Sequence, residues 1–387
     1  MTVAIEPLDL LLIGCGLRGT GLVTAVPELL ERRVAIVEAG GCLGPGSFAE
    51  YQIESNSSGS DFFGWVDPRG PFGDVLEHPD VIALRTTPGN FRLSLLARAL
   101  RHVGAAIARR LPPSRLVLGD RVVRVNADDE QITATLASGR RLAARSVVLA
   151  TGIRETQRAD LQPWCDKVIL SSQIVKGGEG RLFGDDPPTP IVIVGSSHSG
   201  YSAALRFQEA MAAHPARRCE VIVVHRTPVK LFYTGWSEFE ASERYPLEAI
   251  PDPARDVCPE TGNLFRYSGL RHGAKALFRA ASRQEVPWLH QIHCRALGEA
   301  APWLDRAAVI IQAMGYDSNT LPLYRNGEAV WSGADRLVAE LGADGCLPPG
   351  PGRLFVMGMD PYPYRDNSLT PTGQYALRGK QILSMLG

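Results

Sequence analysis

Two glycine-rich turns carry most of the chemistry that this sequence can perform. The first is Gly14-Cys15-Gly16-Leu17-Arg18-Gly19, directly after the apolar run Leu8–Ile13. The second is Gly195-Ser196-Ser197-His198-Ser199-Gly200, directly after Ile191–Val194 and about 180 residues later. Each stands where a buried strand gives way to a helix. In such a turn one glycine permits the tight bend, another lets backbone approach a pyrophosphate, and a third lets the helix pack on the strand. The helix start adds unpaired N–H groups and the positive end of a dipole, both of which favour an anion. One such turn is weak evidence. Two in the same strand–turn–helix context imply two dinucleotides, a flavin and the nicotinamide that reduces it.

The residues after each turn tell the two sites apart. Val34–Glu38 reads as the second strand of a βαβ unit, and Glu38 lies 19 residues past Gly19. A carboxylate at that place holds the ribose hydroxyls of an adenosine. Gly14, Gly16, Leu17, Gly19 and Glu38 are therefore expected to hold FAD. The second turn has Ser197 where the middle glycine would stand, and Ser199 precedes Gly200. A serine at a helix start can bond a free N–H or a phosphate oxygen. The strand after it ends Val223-Val224-His225-Arg226, with no acid. A carboxylate there would repel a 2′-phosphate, whereas Arg226 attracts one, so this site is expected to take NADPH. Gly195, Ser197, His198, Ser199, Gly200 and Arg226 are its expected contacts, with His198 a phosphate neighbour or a surface residue rather than a catalytic base.

The elements that must position these residues follow the periodicity. A helix is expected from Gly19 through Leu22 to Leu30, with Pro27 ending its regular part. Residues 40–75 are rich in Gly, Ser, Pro and aromatics and read as a long ordered loop wrapped on the cofactor. Asn56, Ser57 and Ser58 in that loop are the candidates for facing the flavin. A helix is expected over 91–110. Short strands at 116–118, 121–125, 132–136 and 141–143 read as a small antiparallel insert. A core strand at 146–150 follows, ended by Thr151-Gly152. Residues 177–190 read as a linker. A second βαβ unit then places a helix over 199–213 and a strand over 221–224. Strands at 307–312 and 353–357 and a closing helix over 372–386 complete the expectation.

Composition narrows the class. The 387 residues are enough for two or three domains. Lys+Arg and Asp+Glu both number 41, so the formal charge is zero, which argues against a nucleic-acid binder. No apolar run reaches the roughly 18 residues of a membrane span, and the amino-terminal stretch has no secretory pattern, so a cytoplasmic protein is expected. The 7 cysteines are scattered with no CxxC pair, which speaks against a zinc site or a close redox disulfide. No metal is expected.

These segments together carry a resemblance. The first turn with Glu38, then Ala150-Thr151-Gly152, then the second turn, then Ala313-Met314-Gly315-Tyr316 occur in an order similar to that of the two-dinucleotide flavoproteins. That group holds the flavin-containing monooxygenases, the Baeyer–Villiger monooxygenases and the ornithine/lysine N-hydroxylases. In it an ATG-type segment ends each strand by which the chain passes between the FAD and NADPH domains. Ala150-Thr151-Gly152 matches well, and Ala313 to Tyr316 looks like the ATGY of N-hydroxylating members with Met314 in place of threonine. The FxGxxxHxxxY signature of the other branches is absent. The resemblance also implies a late G-x-D segment, here Gly358-Met359-Asp360, with Asp360 on the FAD. A closing helix near Thr372 would point its start at the flavin ring.

The implied fold is α/β, with two Rossmann-like domains and the NADPH domain inserted into the FAD domain. The expected boundaries are 1–185 and 313–387 for FAD and 186–312 for NADPH. The implied function is an NADPH-dependent flavin monooxygenase acting through a flavin C4a-hydroperoxide on a small molecule, with N-hydroxylation of an amine as one form. O2 is the co-substrate, and a homo-oligomer is compatible with the sequence. The alternatives are an FAD-dependent reductase that inserts no oxygen, and a flavin-fold regulator without turnover.

Overall fold

The computed structural model describes residues 7–128, 131–182, 187–319, 321–331, 353–357 and 374–386. In chain order the strands are β1 Leu8–Ile13, β2 Val34–Glu38, β3 Leu116–Leu118, β4 Val122–Ala127, β5 Ile132–Leu136, β6 Arg141–Leu149, β7 Ile153–Arg154 and β8 Val168–Leu170. They continue with β9 Ile191–Val194, β10 Val221–His225, β11 Leu289–His293, β12 Val309–Gln312, β13 Asp317–Ser318, β14 Leu323–Arg325, β15 Glu328–Trp331 and β16 Arg353–Val356. The chain folds as two compact units. One comprises Met1–Ala49, Ser58–Arg154 and Asp317–Gly387; the other comprises Glu50–Ser57 and Glu155–Tyr316.

The first unit is built on a nine-stranded sheet in the order β15-β14-β4-β5-β6-β1-β2-β3, with β16 also pairing β6. β1, β2, β3 and β16 are parallel to their neighbours, while β4, β5 and β6 form an antiparallel meander. The buried middle of β1, with Leu10, Leu11 and Leu12 at 1% exposure or less, reads as an unbroken apolar run because both faces are covered. Two expectations are corrected here. β3 pairs with β2 and belongs to the parallel core, not to the insert. The expected strands at 141–143 and 146–150 are one continuous strand, Arg141–Leu149, whose first half serves the meander and whose second half serves the core. The polar Arg145 inside it, exposed at the transition, masks that continuity in the sequence.

The helix after the first turn is Leu17–Ala25, and Pro27 starts a separate 3-10 turn, Pro27–Glu31. Proline cannot donate the helical N–H but suits a first-turn position. The carboxy-terminal helix Gln374–Met385 closes against Leu17–Ala25. Its Tyr375 ring occupies the space that a side chain at Gly21 would need, and Gly379 sits against Val26.

The second unit is a five-stranded, all-parallel sheet in the order β11-β10-β9-β12-β8. Helices Ser171–Val175, His198–Ala213 and His272–Ser282 belong to it. The unit begins at Glu155 rather than at the expected 186, and ends at Tyr316 rather than 312, because β8 adds to its sheet beside β12. A three-residue strand with half-buried side chains gives almost no periodic signal, which is why sequence reading placed it elsewhere. Glu50–Ser57 also joins this unit. Gln52 donates its N–H to Val175 O at 2.8 Å, and Lys176 pairs with Glu50 at 2.7 Å.

Candidate functional site

The first glycine turn follows from steric need. Gly14 has φ +85°, and a Cβ there would stand 2.5 Å from the Ala150 carbonyl oxygen, so any side chain both strains the backbone and collides with β6's end. A Cβ at Gly19 would meet Gly14 O at 2.7 Å, which fixes how closely helix and strand approach. Gly16 is different. A Cβ there would meet nothing nearer than Gly46 Cα at 3.7 Å, an ordinary contact. Nothing in the described packing demands glycine at 16; a ligand backed against that peptide would. The helix it begins has no side-chain cap on its first turn, so its leading N–H groups remain available to an anion.

Glu38 lies at the end of β2, beside that turn. One carboxylate oxygen accepts the Cys15 N–H at 2.8 Å, and the other accepts the Gly40 N–H at 2.9 Å. Both oxygens keep lone pairs for ribose hydroxyls while the amides hold the carboxylate in place. Burial pushes the Cys15 thiol pKa strongly up, with the Glu38 charge adding to it, so this cysteine is an inert apolar filler.

The second turn repeats the geometry. Gly195 has φ +116°, and a Cβ there would lie 2.2 Å from Ala313 O, while one at Gly200 would lie 2.2 Å from Gly195 O. Ser197 is the exposed N-cap of helix His198–Ala213 and its hydroxyl caps nothing, leaving it and the first amides for a ligand. His198 opens that helix. Burial lowers its pKa to about 4, and its imidazole bonds the Glu54 backbone, so it is neutral near pH 7 and brings no charge to a phosphate. Arg226 follows β10 at the strand end, exposed, and no carboxylate pairs with it among the described residues.

The two ATG-type segments form the crossovers. Ala150 donates its N–H to Ile13 O at 2.8 Å, and Ala313 donates to Val194 O at 2.8 Å, so each segment closes against the strand that precedes a glycine turn. β7 and β13 then pair antiparallel, Ile153 opposite Ser318 and Arg154 opposite Asp317. Asn319 adds bonds to Gly152 O at 2.9 Å and to Thr151 O at 3.2 Å. In the second unit the Tyr316 phenol bonds Tyr51 and Ser171, and burial pushes its pKa up. Ser171 in turn donates to Glu155 at 2.9 Å, and the Ser172 N–H donates at 2.7 Å. Sequence reading singled out Tyr316 but missed Tyr51, Ser171 and Glu155, which lie far apart in the chain and share no motif.

The three flavin-facing candidates are divided. Asn56 belongs to the second unit, where its Nδ2 donates to Gly269 O at 3.4 Å and its Oδ1 is buried without a partner. Ser57 donates its N–H to Ser55 Oγ at 3.0 Å. Ser58 belongs to the first unit and caps the short turn Gly59–Asp61, its hydroxyl 2.9 Å from Ser60 Oγ. Asp360 and Thr372 lie outside the described residues. No group of acids, histidines and cysteines that could hold a metal occurs among the described residues, and no helix there is long and apolar enough to cross a membrane.

No protein-family model matches the chain. A curated CMP-5′-(3-aminopropyl)phosphonate hydroxylase of Streptomyces rubellomurinus (strain ATCC 31215) is 29% identical over 360 residues, covering 82% of this chain and 78% of that protein. Among solved structures, the cadaverine monooxygenase of the desferrioxamine pathway from Erwinia amylovora, bound to FAD, superposes with a TM-score of 0.66 at 16% identity. That match covers 99% of this chain and 95% of that one. The ornithine N-hydroxylase of Kutzneria sp. 744, with reduced FAD, NADP+ and L-ornithine, superposes with a TM-score of 0.62 at 12% identity, covering 98% and 99%.

The fold is that of the flavin-dependent N-hydroxylases.

In that fold the paired turns stand in the expected order, acid-bearing first and acid-free second.

Proposed function

We propose that this protein is an NADPH-dependent flavin monooxygenase that N-hydroxylates a terminal primary amine on a short alkyl chain. FAD is assigned to the first unit, and NADPH to the second. The observation that carries the reading is the contrast between the two turns. Both are built for a diphosphate, but Glu38 ends the neighbouring strand of one and Arg226 that of the other. The relatives support the substrate class. Ornithine, cadaverine and CMP-5′-(3-aminopropyl)phosphonate all carry an amine at the end of a short alkyl chain.

The residues here bind, orient and shield. The uncapped amides from Leu17 to Gly19 meet one pyrophosphate, and Glu38 holds the ribose beside it. Ser197, Ser199 and the amides of the second helix start meet the other, with Arg226 on the 2′-phosphate. Bound FAD supplies the redox chemistry, accepting reducing equivalents from NADPH and passing them to O2. The net reaction is RNH2 + O2 + NADPH + H+ → RNHOH + H2O + NADP+. One oxygen atom forms the N–O bond and the other leaves as water. No acid–base triad is needed on the protein, in keeping with its absence from both turns.

The test is to purify the flavin-loaded protein and follow NADPH oxidation with terminal diamines, basic amino acids and aminoalkyl phosphonates. Product is read by mass spectrometry for a gain of one oxygen atom, from 18O2. NADPH consumption that yields only hydrogen peroxide or a reduced acceptor, with every amine tried, would put the reductase in its place.

A further inference from the structure

We infer that the NADPH 2′-phosphate is clamped from two adjacent strand ends, by Arg226 after β10 and by Arg295 after β11, with His293 as the residue that positions the clamp. This rests on the second unit's being the NADPH site.

The register brings the two arginines together. β10 and β11 are parallel, with His225 opposite His293, and the ladder closes with Cys294 donating its N–H to His225 O at 2.9 Å. Parallel strands lie about 4.8 Å apart. Arg226 is one residue past the pairing and Arg295 is two, so both leave the same edge of the sheet at neighbouring positions. β11 is the last strand of the sheet on that side, so no described strand stands between this corner and solvent.

Both side chains are exposed, and among the described residues neither guanidinium has a hydrogen-bonding or ion-pair partner. Elsewhere in this unit Arg206, Arg244, Arg266 and Arg283 each pair with a carboxylate. The nearest acid, Glu299, is engaged by the Arg295 backbone N–H and pairs with neither guanidinium among the described residues, so both are left to meet a phosphate dianion with planar, bidentate bonds. The ribose of a dinucleotide on a βαβ unit lies at the end of its second strand, here β10.

The backbone that carries Arg226 is held from both strands. His225 Nδ1 lies 2.8 Å from Thr227 O, and His293 Nε2 lies 3.0 Å from Arg226 O. A carbonyl oxygen only accepts, so each imidazole presents an N–H on that nitrogen. His225 is buried and its remaining nitrogen, Nε2, has no partner. Burial and the neighbouring His293 lower its pKa, so it braces the turn as a neutral ring and is not itself a phosphate ligand. Glu299 accepts the Arg295 backbone N–H at 2.8 Å and so fixes the turn after β11. Arg295 lies 69 residues beyond Arg226 and in no motif, which is why the sequence alone does not reveal it.

The test titrates the flavin-loaded protein with adenosine 2′,5′-bisphosphate and with 5′-AMP, which differ by the 2′-phosphate alone. The wild type should prefer the bisphosphate. R295A should weaken the bisphosphate roughly tenfold to hundredfold and leave 5′-AMP unchanged, with R295K recovering part of the loss. H293F should lower the same ratio, and H293Q, which keeps an N–H donor, should restore it, with no change in melting temperature or in 5′-AMP binding. If R226A abolishes the preference and R295A retains it, the clamp is overturned while the NADPH reading stands. If H293F weakens both nucleotides alike, the positioning role is overturned. A wild type without preference overturns the NADPH reading and the clamp together.

Discussion

Replacing Gly16 by alanine separates what the fold needs from what a dinucleotide needs. At φ −75° the Gly16 backbone lies outside the left-handed region that favours glycine. Its new methyl would meet nothing closer than Gly46 Cα at 3.7 Å. A glycine-to-alanine change at a compatible site stabilises by about 0.4–1 kcal/mol, through the unfolded chain. The flavin-free G16A protein should therefore melt at or slightly above the wild-type temperature. Its FAD affinity should fall, because the methyl holds the pyrophosphate away from the amides of the helix start. Losing one charge-assisted bond costs about 1.5–3 kcal/mol, roughly tenfold to hundredfold in Kd. G14A is the internal control. There the methyl would stand 2.5 Å from Ala150 O at φ +85°, and backbone strain alone costs on the order of 1–3 kcal/mol, so the flavin-free protein itself should melt lower. The assays are calorimetric melts of the stripped proteins and FAD titrations by fluorescence quenching. Wild-type FAD affinity in G16A, or a loss of apo stability as large as that of G14A, would refute the cofactor account of the first turn.

Three further outcomes follow from the second unit and its histidines. R226A should bring the NADPH/NADH ratio for anaerobic flavin reduction down roughly tenfold to hundredfold while FAD stays bound; an unchanged ratio removes Arg226 from the site. The protein should lose stability in mild acid. His102, His198, His225 and His272 all titrate below their usual range, chiefly through burial, so the folded state takes up these protons later than the unfolded chain. Their contribution is complete above about pH 6.5 and declines as pH falls, down to about 4 for His198, whose share is on the order of 3 kcal/mol at most. H198Q should flatten the fall in melting temperature between pH 7 and pH 5; an identical slope would show that His198 does not contribute. N56A removes a buried acceptor whose amide makes only a 3.4 Å bond, so stability should change by less than about 1 kcal/mol. A calorimetric loss well above that figure would show that the Gly269 contact matters more than its length implies.

Much of this architecture could be read from single residues because the constraint itself is local. Gly14 and Gly195 are glycines because their own φ values and the carbonyl opposite permit nothing else, and those carbonyls belong to Ala150 and Ala313, in the two ATG-type segments. The motifs that the sequence shows separately are therefore the two halves of one steric contact, made twice. Glu38 was readable for the same reason, since the residue that ends the second strand of a βαβ unit must lie beside the turn that ends the first.

What stayed hidden depends on pairing between distant segments. Nothing in Glu50–Ser57 announces that it joins the second unit, because its bonds to Val175, Gly269 and the Tyr316 cluster are set by tertiary approach and leave no period in the chain. β8 was lost because three half-buried residues cannot display alternation. His198 shows the limit most clearly. In sequence it is a titratable group in the middle of an anion-binding turn, and a positive charge there would be a natural phosphate partner. Burial instead lowers its pKa to about 4, against the opposing bond from the Glu54 backbone, so the charge available to this site has to come from elsewhere. Arg226 and Arg295 are exposed cations past the ends of β10 and β11. A residue type identifies what a position could do; only its surroundings decide which protonation state it has when it does it.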